Sequence, residues 1–262
     1  MTNSVHAVYA IRYAHREAVT RGQNFYGGDP HDGPMPMSYY TWLVVIDGGA
    51  VVVDTGFSPE VGAKRPGSRQ FFGDQSAVLE QLGHDPAGIR DVVLTHLHFD
   101  HAGCTGRFPA ARFWLQESEM AFWTGRYAGR ASFLHGVEQD DVLDAVRLNF
   151  ARRIKWVDGD AQLHPGVTLH RVGGHSAGLQ VVRVETAAGV VVLASDAAHY
   201  YENIEQDRPF NSVHSLPDMY GAFDRVAELA GPDGVIVPGH DPAVVERFPS
   251  VENLDGVVVR IA

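Results

Sequence analysis

The segment that most constrains this chain places four side chains suited to metal binding within six residues. His96, His98, Asp100 and His101 directly follow an apolar run at residues 92–94, which is typical of a short buried strand. Imidazole nitrogens and carboxylate oxygens bind Zn²⁺ and similar divalent ions. At the end of a strand, His96 and His98 project to the same face because strand side chains alternate. If the chain then turns, Asp100 and His101 point towards a second ion. The spacing therefore predicts a two-metal site where a strand runs into a loop.

Three further candidate ligands also follow apolar strands. His175 follows residues 167–172, Asp196 follows residues 190–194, and His240 follows residues 235–237. Ligands at the ends of several strands are expected to converge on one edge of a sheet structure. Glycines stand beside His175 and His240, and they allow the backbone to approach closely.

The remaining pattern predicts an α+β fold. Strands are predicted at residues 1–19, 42–46, 50–53, 92–94, 167–172, 180–185, 190–194 and 235–237, and helices at residues 76–82, 116–124, 140–150 and 218–230. Clustered strands followed by alternating strands and helices favour two packed sheets with helices outside, an αβ/βα sandwich. We expect a single domain over residues 1–262. The long irregular stretch at residues 21–38 is typical of a functional loop.

The composition of the chain limits the kinds of partner that we expect it to bind. The 262 residues carry a formal net charge of −11 and include no basic stripe, which argues against nucleic acid as a partner. The longest apolar runs are too short to cross a bilayer, and the N-terminus lacks the apolar region of a signal peptide. With Cys104 as the sole cysteine, an internal disulfide is excluded. We therefore expect a cytoplasmic protein, monomeric or homodimeric, that does not bind membranes.

The series H-x-H-x-D-H, G-H-S-x-G, S-D and P-G-H, in this order, resembles the metallo-β-lactamase superfamily. The resemblance extends from about Trp42 to His240. It implies two mixed β-sheets flanked by helices. By resemblance, His96, His98 and His175 bind the first ion, Asp100, His101 and His240 bind the second, and Asp196 bridges both. Asp54 matches an early aspartate of the family that orients a ligand histidine or its loop.

Within the superfamily, the N-acyl-homoserine-lactonase branch is the most similar. An intact Asp196, the long loop before Trp42 and the sequence around Phe99 all fit it. One position departs from that branch, since His199 stands where those lactonases have a tyrosine that contacts the lactone carbonyl. In this respect the chain is similar to the 4-pyridoxolactonases of the same branch.

The resemblance implies a quorum-quenching type of lactone hydrolysis in which a hydroxide that bridges two metal ions opens the ring of a small-molecule lactone. Asp100 would accept the proton of the water and pass it to the leaving oxygen. His199 would donate a hydrogen bond to the developing oxyanion. Tyr26 and Met35 of the long loop, together with His199 and Tyr200, are the predicted substrate contacts. Zn²⁺ is the expected metal, two ions per chain, with Mn²⁺, Fe²⁺ and Co²⁺ as alternatives.

Other functions stay open at this point. A 4-pyridoxolactonase or another aromatic lactonase would use the same residues. A glyoxalase-II-like thioesterase would need a helical C-terminal region, for which the tail after His240 is short. A non-hydrolytic diiron redox protein would need a flavin domain. A non-catalytic binding protein would be expected to have lost some of the seven ligands.

Overall fold

The computed structural model describes residues 5–262. Its centre consists mainly of β-strands. The strands are β1 (Val5–Arg16), β2 (Met37–Ile46), β3 (Gly49–Val53), β4 (Gln70–Phe71), β5 (Asp91–Val93), β6 (Arg112–Gln116), β7 (Ile154–Val157), β8 (Ala161–His164), β9 (Val167–Arg171), β10 (Gln180–Thr186), β11 (Gly189–Ser195), β12 (Val235–Pro238) and β13 (Val258–Arg260). Residues 1–4 of the predicted N-terminal strand lie outside the described residues.

Helices connect and cover these strands. They are α1 (Arg21–Asn24), α2 (Pro59–Lys64), α3 (Gln75–Gln81), α4 (Phe99–Ala102), α5 (Glu117–Trp123), α6 (Ala131–Leu134), α7 (Gln139–Phe150), α8 (Tyr201–Glu205), α9 (Leu216–Ala230) and α10 (Val244–Arg247), with 3₁₀ turns at Pro86–Gly88 and Thr105–Arg107. Within residues 5–262, none of these helices has the length and hydropathy needed to cross a membrane.

The strands form two mixed sheets. The first has the order β13-β1-β2-β3-β5-β6-β7, with β4 pairing to β1, and the second has the order β12-β11-β10-β9-β8. The run from β3 to β7 is parallel, as is the pair of β11 and β12, whereas the other pairs are antiparallel. This architecture confirms the predicted fold class.

Alternating side chains explain how the two sheets pack. On β2, Trp42 and Val44 point into a core between the sheets, whereas Leu43 points into a second core. That second core lies against α3 and α7, where Val78 and Val142 are buried. Another cluster packs α9 against the outer face of β10 and β11. Because both faces of the central strands are covered, those strands read as continuous apolar runs.

The structure contains strands that the sequence reading missed. These are β4, β6, β7, β8 and β13. β6 has the sequence Arg-Phe-Trp-Leu-Gln and is charged at its start, so it lacks the uninterrupted apolar run of its neighbour β5. The predicted loop at residues 21–38 is partly ordered: it contains α1 and is pinned by isolated bridges of Thr20 to Pro34 and of Phe25 to Phe210.

Candidate metal centre

The seven predicted ligands meet at one edge of the two sheets and fall into two groups. The ligand atoms of the first group lie within 4.8 Å of one another, and so do those of the second. The first group is His96, His98, His175 and Asp196, and the second is Asp100, His101 and His240. The segments that follow β5, β9, β11 and β12 supply these residues, with Asp100 and His101 in α4. Every one of them is buried. The convergence that the spacing predicted is therefore present.

Distances within the first group fit a tetrahedral ion. His175 Nε2 lies 3.2 Å from His96 Nε2, 2.8 Å from His98 Nδ1 and 3.2 Å from Asp196 Oδ2. Four ligands at ~2.0–2.1 Å from a tetrahedral Zn²⁺ lie about 3.3 Å from one another. Three imidazoles with their nitrogens turned towards one point make poor hydrogen-bond partners but a suitable ligand set.

The Asp196 carboxylate faces both groups. Its Oδ2 lies near His175, and its Oδ1 lies 3.1 Å from His101 Nε2 and 3.1 Å from His240 Nε2. Among the described residues, His101 Nε2 and Asp196 Oδ1 are buried without a hydrogen-bond partner. Buried polar atoms normally have partners, so this orphaned pair fits a site built for a cation between them.

The electrostatics of the first group favour neutral imidazoles. Burial lowers the pKa of His96 and of His98 well below the usual value, and neighbouring histidines lower it further. Only the neutral ring offers the lone pair that a metal needs. In this group, desolvation therefore keeps the histidines in the metal-binding form.

In the second group, interactions between carboxylates and histidines decide the direction of the pKa shifts. Burial lowers the pKa of His101, but Asp196, Asp54 and other acidic neighbours outweigh burial and raise it well above the usual value. Burial raises the pKa of Asp196, but the surrounding histidines outweigh burial and lower it well below the usual value. Asp196 is therefore a carboxylate, the form needed to bridge two cations.

Asp54 occupies the position expected of an orienting residue. Its Oδ2 lies 2.7 Å from His101 Nδ1, which leaves His101 Nε2 facing the centre. The same carboxylate accepts hydrogen bonds from Thr95 N and Thr95 Oγ1, both at 2.8 Å. Asp54 has a φ of 62°, a strained value for a residue other than glycine. The hydrogen bonds hold this backbone in place and fix the direction of the His101 ring.

Two other ligand rings are held by backbone carbonyls. His175 Nδ1 lies 2.8 Å from Ser212 O, and His240 Nδ1 lies 2.8 Å from Ser38 O. A carbonyl only accepts hydrogen bonds, so each Nδ1 carries a proton, and in the neutral ring Nε2 presents its lone pair to the cluster. Ser38 and Ser212 act through their backbone, which no side-chain pattern in the sequence could have indicated.

Glu119 is an organising residue that the sequence reading missed. It is fully buried in α5 and accepts hydrogen bonds from Leu97 N at 3.0 Å, Ser176 Oγ at 2.8 Å, Gly178 N at 2.7 Å and Trp123 Nε1 at 2.7 Å. Glu119 thus ties the loop of His96 and His98 to the loop of His175. A Cβ added at Gly178 would lie 2.4 Å from Glu119 N. The available signal was the G-H-S-x-G sequence, whose serine and second glycine both donate to this carboxylate.

A cavity of about 310 Å³ opens over the cluster. Its lining includes His98, Asp100, Asp196, His199 and His240. Met37 and Tyr39 of β2 form part of the wall. Asp100 and His199 are therefore positioned to meet a ligand.

Three of the predicted substrate contacts are not at this cavity. Tyr26 is 54% exposed. It lines neither this cavity nor a second cavity that Arg16, Met37 and His199 also line. Met35 and Tyr200 pack with Phe25 in a separate apolar cluster, and Asn24 Nδ2 donates to Tyr200 Oη at 2.8 Å. These side chains hold the N-terminal loop against the protein. None of these three side chains lines this cavity, whereas Met37 does, and their contact with a substrate stays a prediction.

His199 has a fixed orientation. Its ring stacks on Phe210 with centroids 3.6 Å apart and an angle of 18° between the planes. His199 Nε2 lies 2.9 Å from Asp196 Oδ2, and because Asp196 is a carboxylate, this nitrogen donates. Burial lowers the pKa of His199 to about 4, although Asp196 opposes the shift, so the ring is neutral. A neutral ring has one N–H, which can serve Asp196 or a substrate oxygen but not both at once.

Comparison with known sequences agrees with this geometry. The metallo-beta-lactamase superfamily profile matches residues 35–240. The N-acyl homoserine lactonase AiiA of Bacillus thuringiensis subsp. kurstaki is 30% identical over 218 residues, which cover 77% of this chain and 80% of that protein. The N-acyl homoserine lactonase AttM of Rhizobium radiobacter is 29% identical over 251 residues, which cover 84% and 88% of the two chains.

Solved structures show the same fold. The crystal structure of a quorum-quenching N-acyl homoserine lactone lactonase superposes with a TM-score of 0.76 at 23% identity, covering 92% of this chain and 94% of that one. A B. thuringiensis AiiA variant with N-decanoyl-L-homoserine bound at its active site gives a TM-score of 0.77 at 22% identity, covering 94% and 97%. The relatives are lactone hydrolases, which confirms the prediction of a hydrolase of this type. The chain belongs to the metallo-β-lactamase superfamily, in the branch that contains the N-acyl homoserine lactonases.

Proposed function

We propose that this protein is a lactonase that hydrolyses the cyclic ester of a small-molecule substrate at a centre of two divalent metal ions. The observation that carries the proposal is the shared Asp196, whose two oxygens face two separate groups of ligands. The relatives AiiA and AttM are lactonases, and a structural neighbour, AidC, is a dizinc quorum-quenching lactonase. These similarities support Zn²⁺ as the metal, with Mn²⁺, Fe²⁺ and Co²⁺ as alternatives.

The donor set defines where the ions would lie. His96, His98 and His175 would hold one ion, Asp100, His101 and His240 would hold the other, and Asp196 would contact both. Divalent ions in such a site supply an activated water as nucleophile and polarise the carbonyl of the ester. The chain's own residues must then position the ring and move a proton.

Asp100 is the candidate for proton transfer. Its Oδ2 lies 3.6 Å from His240 Nε2 and 3.8 Å from His101 Nε2, and Asp100 lines the cavity. Tyr13 Oη donates to the backbone carbonyl of Asp100 at 2.7 Å and holds the loop in place. A carboxylate fixed there can accept a proton from the attacking water and deliver it to the alkoxide that leaves when the ring C–O bond breaks.

His199 is the candidate donor to the oxyanion. Stacking on Phe210 keeps the ring edge directed at the cluster. When the substrate oxygen replaces Asp196 as acceptor of the His199 N–H, the ring stabilises the charge that develops on the carbonyl oxygen.

An aromatic or ring-fused lactone, such as the substrate of a 4-pyridoxolactonase, is the second candidate. The observation in its favour is His199 itself. Its imidazole stacks on Phe210 and lines the cavity. By the resemblance described above, the lactonases have a tyrosine at this position. A planar substrate would find a planar surface beside the reacting carbonyl.

The decisive experiment combines metal analysis with a substrate screen. Purified protein is assayed by pH-stat titration against acyl-homoserine lactones, aromatic lactones and thioesters. We expect two metal ions per chain, ring opening of a lactone, and loss of activity after chelation that Zn²⁺ restores. Stoichiometric metal without any lactone opening, or thioester hydrolysis alone, would overturn the proposal. Activity that persists without metal would overturn it as well.

The same proposal includes the organisation of the protein. Both sheets supply ligands, which supports a single domain over residues 1–262. We propose a cytoplasmic monomer or homodimer whose partner is a small molecule and neither a nucleic acid nor a membrane, in keeping with the net charge of −11.

A further inference from the structure

The cavity over the metal ligands also contains a concentration of positive charge. Arg16, Arg65 and Arg69 all contribute to its wall. The chain as a whole has a net charge of −11, so three guanidinium groups at one site run against its average composition. A neutral acyl chain gives no reason for them.

Arg65 has its own partners within the protein. Its Nη2 donates to Glu138 Oε1 at 2.8 Å and to Val137 O at 3.0 Å. Its guanidinium also lies over the Phe99 ring, 3.5 Å from the centroid. The charge of Arg65 is therefore balanced by Glu138, and the side chain acts as part of the wall.

Arg16 and Arg69 differ from Arg65 in this respect. Among residues 5–262, neither has a carboxylate within 4.0 Å, whereas Arg65 has Glu138. The Nε of each is buried without a hydrogen-bond partner, as is the Nε of Arg65. Arg69 Nη1 donates only to backbone carbonyls, including Gly67 O at 2.9 Å. A guanidinium stays charged at every physiological pH, and burying part of it without a counter-ion is costly. An anion from outside would remove this cost.

Gly67 brings the two arginines to the same place. Its φ is +79°, and an added Cβ would lie 2.7 Å from Arg16 Nε. Arg16 thus packs against the backbone of Gly67 while Arg69 binds its carbonyl oxygen. The two side chains come from the end of β1 and from the loop before β4, and they form one continuous surface, which we call the arginine wall.

We infer that the arginine wall binds an anionic group of the substrate, so that the preferred lactone carries a carboxylate away from its ester ring. This inference rests on the proposed lactonase function. Guanidinium groups present parallel N–H donors that match the two oxygens of a carboxylate. The wall shares its cavity with Asp100 and His199, so one molecule can place its ring at the metal ligands and its carboxylate at the arginines.

The first test compares lactones that differ only in charge. N-hexanoyl-homoserine lactone and N-adipoyl-homoserine lactone have acyl chains of equal length, and only the second ends in a carboxylate. Succinoyl and suberoyl derivatives, each compared with the neutral acyl compound of the same chain length, vary the distance between the lactone ring and the added carboxylate. Both members of a pair form the same new carboxylate on ring opening, so the ratio of their kcat/KM values reports the added one. We expect a preference of about tenfold or more for at least one charged member. No preference across the series would overturn the inference.

Variants assign the preference to the wall. In Arg16→Gln/Arg69→Gln the charged-to-neutral ratio should fall about tenfold to a hundredfold, and Arg16→Lys/Arg69→Lys should retain part of it. Arg90→Gln/Arg152→Gln is the matched control: it removes the same two charges from exposed residues that precede β5 and β7, at the ends of these strands opposite the ligands. An equal fall of the ratio in this control would show a long-range charge effect and would overturn the assignment to this wall.

Binding separates this inference from the proposed function. Isothermal titration of the metal-loaded protein with ring-opened N-adipoyl-homoserine and N-hexanoyl-homoserine needs no turnover. If no lactone is opened but the charged compound binds at least tenfold more tightly, with loss of that difference in the double Gln variant, the anion site stands and the lactonase function falls. If a lactone is opened but the two ring-opened compounds bind with equal affinity, the lactonase function stands and the anion site falls.

Discussion

The floor and the arginine wall of the cavity are built on opposite principles. On the floor, which we define as the seven ligands, rings are held from behind by Asp54 and by backbone carbonyls, and their lone pairs face inwards. On the arginine wall, backbone carbonyls hold Arg69, and both arginines line the cavity without a carboxylate partner among the described residues. The floor is thus suited to cations and the wall to an anion, and both line the same cavity.

The two regions also differ in where their residues come from. The floor residues follow four strands of the two sheets, whereas Arg16 ends β1, where it pairs with Met37, and Arg69 lies in the loop before β4. We therefore expect substitutions on the floor to abolish chemistry and substitutions towards the wall to change the choice of substrate.

Asp196→Ala should have the largest effect. The carboxylate faces both ligand groups, so its loss should empty both metal sites and reduce hydrolysis to background. Inductively coupled plasma mass spectrometry measures the metal content, and a pH-stat assay measures turnover. Retention of two ions per chain in this variant would show that Asp196 does not bridge them.

Asp100→Asn should lower kcat by roughly 10²–10⁴-fold, the usual contribution of a positioned acid or base. The amide can still contact a metal ion through its oxygen, but it cannot accept a proton, so metal content should fall much less than turnover. The measurement is kcat together with metal content. Turnover at the wild-type rate would rule out proton transfer by Asp100.

His199→Ala should lower kcat by about 10²–10³-fold, as loss of one oxyanion donor does, with metal content unchanged. His199→Tyr should restore part of the rate and shift the preference towards acyl-homoserine lactones. Steady-state kcat and KM on the best substrate provide the comparison. If metal is lost instead, the contact with Asp196 is the main role of His199; an unchanged kcat would place His199 outside the reaction.

Glu119→Gln should lower the free energy of unfolding of the protein by about 2–3 kcal/mol. The reason is that an amide NH₂ would face N–H and O–H donors that now bind a carboxylate. Urea unfolding measures the change. Glu117→Gln is the control, since Glu117 is exposed on the same helix and should be within about 0.5 kcal/mol of the wild type. Equal stabilities of the two variants would show that Glu119 does not hold the ligand loops.

Cys104→Ser should leave metal content and kcat unchanged. Cys104 follows the ligand loop, but it belongs to neither ligand group among the described residues, and burial raises the pKa of its thiol to about 11. A thiol that stays protonated is a poor ligand. Loss of a metal ion in this variant, measured by the same elemental analysis, would place Cys104 at the centre.

The floor was largely predictable from the sequence, and the rest of the cavity was not. The two-residue spacing of His96 and His98 predicted that both rings would meet in one ligand group, although β5 ends at Val93 and both residues lie beyond it. The substrate side depends on contacts between distant segments: Met37 lines the cavity because β2 begins there, while Met35 packs away from it. No local pattern indicated that Arg16 and Arg69 would meet at one turn.

The floor has a consequence for how the chain assembles. Asp100 and His101 follow β5 in the first sheet, whereas Asp196 and His240 follow β11 and β12 in the second. In a disordered chain, these groups meet only by closing long loops, and the entropic cost of closure rises with loop length. The floor therefore forms only after the two sheets have docked. An ion bound there would favour the docked arrangement over every partly assembled one, so it would hold the two sheets together in addition to its part in the proposed chemistry.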